Sequence, residues 1–133
     1  MSRAAREKGK RGERMFRDLC REQGFLKTER TGWHQSFAGD AAADVTIPEL
    51  PTLWPEVKFV EKINVRQAYE QAERAAAIGK TPAVFHKTSN KPWLVTLAAE
   101  DFFRICRRSD LVERPDDASN STTPGAPDVL PNN

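Results

Sequence analysis

Residues 54–60 read WPEVKFV, and how they are read decides the fold. Trp54, Val57, Phe59 and Val60 mark a strand, because aromatic and β-branched side chains fit a pleated, half-buried surface. Glu56 and Lys58 interrupt the apolar run. Side chains two apart on a strand share a face, so this carboxylate and this ammonium stand on one side while Val57 and Phe59 turn to a core behind them. A charge in a half-buried place is costly and requires a partner or an ion. The plain alternative is an edge strand with one solvated face, on which the pair is an ordinary surface feature.

Working outward, residues 3–23 predict a helix with Met15, Phe16, Leu19 and Cys20 at helical spacing and Gly24 as its stop. Strands are expected over 25–30 (FLKTER) and 41–47 (AAADVTI), separated by a glycine-containing loop over 31–40. Beyond the central strand, 63–79 predicts a helix with Val65, Ala68, Tyr69, Ala72 and Ala76 as its apolar stripe. Two further strands are expected at 81–87 and 92–97, joined by a TSNK turn. A closing helix over 98–108 would turn Phe102, Ile105 and Cys106 inward. The order αβββαββα predicts an α/β (α+β) domain, a mixed sheet of about five strands flanked by helices, over residues 1–110. From Glu113 the composition shifts to Pro, Ser, Asn and Asp, so 111–133 is expected to be a disordered acidic tail.

The 133 residues, 38% hydrophobic and 30% charged, suffice for one modest core. No apolar run is long enough to span a membrane, and no apolar segment follows the N-terminal charges as a secretory signal requires. A soluble, cytoplasmic protein is expected. Cys20 and Cys106 have no metal-ligand spacing and read as reduced core thiols. His34 and His86 are the only histidines and lack ligand spacing, which argues against a zinc or HNH centre. The net charge of +2 is unevenly spread. Residues 1–30 hold ten Lys/Arg against five Asp/Glu, residues 31–109 ten against nine, and residues 110–133 one against five. A basic body with a basic leading helix is the footprint of a phosphate-backbone binder, or else a solvated helix face.

Three further places set polar residues in or beside apolar surroundings. Asp44 interrupts AAADVTI twelve residues before Glu56, and the proline-rich turn between them would let neighbouring strands set the two carboxylates side by side. Such a pair repels unless a cation lies between, and oxygen-only ligands suit Mg²⁺ or Mn²⁺. The alternative for Asp44 is a loop cap. Glu13 lies at helical spacing with Phe16 and Cys20, beside the apolar stripe; its alternative is a surface pair with Arg17. Gln67, Gln71 and Arg74 form a polar strip on the second helix, either a solvated face or a source of an amide for Lys58 or a phosphate.

Taken in order, these residues resemble the PD-(D/E)xK nuclease superfamily, and within it the archaeal-type and phage-encoded Holliday junction resolvases. The likeness rests on KGKRGERMFRDLCREQGF with Gly12-Glu13, QSFAGDAAADV with Asp44, WPEVK with Glu56 and Lys58, AYEQAERA with Gln71, and TPAVFHKTSNKPWLVTL, and covers about residues 8–105. Ala43 stands where the family's proline precedes the aspartate; that proline shapes backbone and ligates nothing. The resemblance implies a restriction-endonuclease-like sheet and a homodimer acting on four-way junctions or other branched DNA. It further implies Mg²⁺ or Mn²⁺ on Asp44, Glu56 and the Val57 carbonyl, with no small-molecule cofactor. Lys58, Glu13 and Gln71 would be catalytic, and Lys8, Lys10, Arg11, Arg14, Arg30, Gln35 and Ser36 would meet DNA. The product would be a nick with a 5′-phosphate. Two rival readings remain open: another nuclease of the superfamily acting on flaps, ends or duplex DNA, and a non-catalytic DNA-binding module.

Overall fold

The computed structural model describes residues 2–31 and 43–109. Gln35, Ser36, His34 and the expected tail lie outside the described residues. The chain divides into two compact units, Met1–Ala98 and Ala99–Asn133.

The first unit opens with α1 (Arg3–Glu22). Ser2 caps it, accepting from the Ala5 amide at 3.1 Å. It stops because Gly24 takes a positive φ of 101°, a conformation that side chains with a Cβ resist. The expected strand over 25–30 shrinks to β1 (Glu29–Arg30). Residues 25–28 go instead into a turn in which the Thr28 amide and hydroxyl both donate to the Phe25 carbonyl, at 3.2 and 2.7 Å. The Arg21 guanidinium fixes that turn by donating twice to the Thr28 carbonyl. β2 (Val45–Thr46) pairs antiparallel with β1, Arg30 opposite Val45.

The central stretch forms β3 (Leu53–Phe59). It is followed by α2 (Val65–Ala75), capped by Asn64 on the Gln67 amide at 3.0 Å. β4 (Thr81–Lys87) runs parallel to β3, with Glu56 beside Val84 and Lys58 beside His86. β5 (Leu94–Thr96) is antiparallel to β4. The β3–α2–β4 segment is thus a βαβ unit. The fold class is mixed α and β as expected, but among the described residues the five strands form two sheets, β1–β2 and β3–β4–β5, not one. The two-residue lengths of β1 and β2, set by the turn at 25–28, leave little ladder to extend into β3.

The apolar face of α1 supplies the core. Phe16 and Cys20 bury against Val45 and Ile47, with Leu53, Val57, Phe85 and Trp93 packed around them. The Phe16 ring lies 4.6 Å from Phe85 and 5.5 Å from Trp93, centroid to centroid. Burying Phe16 contributes roughly 1.5–3 kcal/mol. On the other face of the sheet Ala68 and Ala72 of α2 pack on Val84. Small residues there let the helix lie close to the strand bearing Lys58. Cys20 is a buried free thiol pushed up to about 11 by burial, as a core cysteine should be. Trp93 belongs to this core.

The described part of the second unit contains α3 (Ala99–Cys106). None of its residues is buried, and Phe102, Phe103 and Ile105 are all exposed. The expectation that Phe102, Ile105 and Cys106 face a core is not met. Among the described residues, no helix is long and apolar enough to cross a membrane.

Candidate active site

The site begins with β3. Its pleat puts Glu56 and Lys58 on one face, with Lys58 Nζ 3.6 Å from Glu56 Oε2. Both side chains are largely withdrawn from water, 15% and 28% exposed. β3 is an edge strand of its sheet, as the plain alternative had it, but that level of burial separates the pair from a freely solvated face. The ammonium also donates to Gln71 Oε1 at 3.1 Å. Gln71 stands three residues after Ala68, so the face of α2 that packs on Val84 brings its amide over Lys58. Lys58 is therefore held from two sides, by a carboxylate on its own strand and an amide from the crossover helix.

Glu13 comes from α1, and its position depends on the residue before it. A Cβ on Gly12 would lie 2.5 Å from Phe59 Cβ, closer than side chains tolerate. Only glycine lets α1 rest on β3 at this point. Glu13 is 18% exposed and does not pair with Arg17, which meets Asp18 at 3.1 Å. Its partner is Arg30, whose Nε and one terminal nitrogen both donate to Glu13 Oε1 at 3.2 Å. Asp44 is exposed in the bend just before β2, its carbonyl fixed by the Thr31 amide at 2.7 Å. The β1–β2 pairing thus brings Arg30 and Asp44 to the same place as Glu13.

The three carboxylates feel one another. Burial raises Glu13 above the usual carboxylate range, the Asp44 charge raises it further and Glu56 adds to this, while Arg30 opposes them. Burial also raises Glu56, with Asp44 adding and Lys58 opposing. Glu13, Asp44, Glu56, Lys58, Gln71 and Arg30 therefore form one constellation drawn from α1, β1, β2, β3 and α2. Its carboxylates are hard oxygens carrying repelling charges, the donor type that Mg²⁺ or Mn²⁺ takes. Among the described residues, no three acidic, histidine or cysteine side chains form a ready metal cluster. A cation here would take few carboxylates, and Glu13 stands committed to Arg30.

The expected DNA contacts divide. Arg11 and Arg14 are exposed on α1, and Lys10 makes only a loose pair with Glu7 at 3.8 Å. Lys8 instead donates to Glu61 at 2.6 Å and lies over the Phe59 ring. Glu61 also accepts from the Ser89 hydroxyl and amide, and these bonds hold its carboxyl down at about 2. Sequence reading missed this clamp because nothing in EKIN or KTSN sets them side by side before the parallel register is known. Beside Lys58 a cavity of about 160 Å³ runs along Val60, Lys62, Asn64, Gln67 and Gln71. Comparison with family models, with curated proteins and with solved structures returns no match for this chain.

Proposed function

We propose that this chain is a divalent-cation-dependent, structure-selective DNA endonuclease that nicks four-way junctions as a homodimer. The observation carrying this reading is the half-buried Glu56–Lys58–Gln71 contact with the Asp44 charge pressing on Glu56. An amine and carboxylates sequestered together are poor stabilisers of a fold and good tools for hydrolysing a phosphodiester. Bound at Asp44, Glu56 and the Val57 carbonyl, Mg²⁺ or Mn²⁺ would supply a Lewis acid for the phosphoryl oxygen and a more acidic water.

The chain's own groups do the rest. Lys58, held by Glu56 and Gln71, presents a fixed positive charge to the phosphoryl oxygens and orients the attacking water. Gln71, by accepting from Lys58, keeps the ammonium aimed. Lys10, Arg11 and Arg14 on α1 meet backbone phosphates, so affinity falls as salt rises. A two-fold junction needs paired nicks, which two sites in a C₂ dimer supply. Among the described residues of the first unit, exposed Leu94 and Val95 on the edge strand β5 are two adjacent apolar side chains available to such a contact, while Leu26, Leu50 and Ile78 are exposed elsewhere.

The deciding experiment compares a synthetic four-way junction, a flap and a linear duplex, each in Mg²⁺ and in EDTA. Junction nicking that EDTA abolishes is expected. Equal cutting of all three would leave a nuclease without junction selectivity, and binding without cutting in Mg²⁺ or Mn²⁺ would leave a DNA-binding module.

A further inference from the structure

We infer that Arg30 is a positioning residue that masks Glu13, holding its carboxylate out of the cation site and thereby setting how tightly the DNA-free protein takes a divalent ion. The inference rests on the nuclease reading above and concerns this chain's resting site. Glu13 is the most enclosed carboxylate of the constellation after Glu56, and its neighbours Asp44 and Glu56 both repel it. Released from Arg30, it would be free to turn toward the cation proposed for Asp44 and Glu56. Two guanidinium nitrogens instead donate to it, from a side chain itself only 29% exposed.

The charges also balance in a telling way. Glu13, Asp44 and Glu56 bring three negative charges, and Arg30 and Lys58 bring two positive ones. The constellation is thus one charge short of neutral without any ion. A divalent cation has to compete with a guanidinium already in place. Both Arg30 donors fall on Oε1, and among the described residues nothing donates to Oε2. A modest turn of the guanidinium would therefore free Glu13 without unfolding β1. Arg30 was expected from the sequence as a DNA contact, and a guanidinium released from Glu13 would have a phosphate as its next partner. Lysine at this position would keep the charge while losing the fork.

The test is calorimetric titration of Mn²⁺ into the full-length, DNA-free protein, with thermal unfolding run beside it to establish that each variant folds. Arg30→Gln is expected to bind Mn²⁺ about tenfold more tightly than wild type, the weight of one unmasked carboxylate on a divalent ion in a water-like dielectric. Arg30→Lys is expected to stay within about threefold of wild type, because the masking charge remains. In a Glu13→Gln background the gain from Arg30→Gln should shrink, since no carboxylate is left to unmask and only the loss of a nearby positive charge remains. Unchanged or weaker Mn²⁺ binding in Arg30→Gln overturns the inference, as does an undiminished gain in the Glu13→Gln background. Wild type that binds Mn²⁺ while Arg30→Gln leaves the affinity untouched removes the masking role alone. Absence of Mn²⁺ binding in both wild type and Arg30→Gln removes the nuclease reading with it.

Discussion

At the scale of single residues, Lys58 and Gly12 carry opposite kinds of necessity. Lys58 is held in a costly place by Glu56 and Gln71. On the nuclease reading proposed above, Lys58→Ala is expected to lower junction cleavage about 10³-fold, as removing one charge from a reacting phosphate would, while gel-shift affinity in Ca²⁺ changes less than about threefold. Retained cutting would remove Lys58 from the chemistry. Gly12 matters for what it lacks. A methyl there meets Phe59 Cβ at 2.5 Å, an atom too close to the backbone of β3 to swing aside. Gly12→Ala is a gain in helix propensity of up to ~1 kcal/mol on an isolated helix. In this chain it is expected to cost about 1–3 kcal/mol by overpacking, read from urea unfolding. Net stabilisation would mean that α1 does not rest on Phe59 as described.

Among elements, the packing of α1 on the ends of β3 and β4 gains a polar tie from Glu61, which joins Lys8 to Ser89 across the turn after β4. Glu61→Gln separates two roles of Lys8. The first turns of α1 should exchange their amides faster, because the helix loses its anchor. Non-specific duplex affinity at low salt should rise and its salt slope steepen by about one, because Lys8 becomes available to a phosphate. If exchange and salt slope both stay as in wild type, the clamp does not hold Lys8 in solution. Elements were legible in the sequence wherever a local pattern sufficed. α1 and β4 follow from the spacing of Phe16 and Cys20 and from the run TPAVFHK, and the parallel β3–β4 pairing suits the helix between them. β1 was overread, because FLKTER looks extended until Gly24 turns the chain and Thr28 folds back on Phe25. The Glu56–Lys58 pair was legible from period two, and Gln71 from its place on α2. Arg30 on Glu13, and Glu61 on Lys8, were not: these pairs join residues 17 and 53 positions apart. Only the tertiary register brings them together.

For the whole molecule, the site is a place where stability is given up, and pH exposes it. Glu56 is pushed above its ordinary range chiefly by burial, with Asp44 adding and Lys58 opposing. A carboxyl whose native pKa lies above its unfolded value binds more protons folded than unfolded. It therefore weakens the fold as pH rises from about 4.5 through the native value, and the weakening is complete above that. Two other groups act in the opposite direction. His86, its ring nitrogen 3.0 Å from the Thr96 hydroxyl, is lowered by burial and loses its contribution as pH falls below about 6.5. Glu61, held at about 2, loses its own as pH falls below about 4.5. Glu13, also raised by burial, acts in the same direction as Glu56; the wild-type profile mixes all four, so the difference between wild type and an isosteric amide isolates one. Glu56→Gln removes a buried charge while keeping shape, and the variant should melt at a higher temperature than wild type at pH 8. The two melting curves should converge by pH 4, where Glu56 itself is neutral. In the junction assay the same variant should be inactive at every pH, because the amide carries no charge to hold a cation. A stability difference that stays constant with pH, or that favours wild type at pH 8, would mean that Lys58 compensates Glu56 fully. The carboxylate would then be a structural partner of the lysine, with no stability sacrificed for a bound ion.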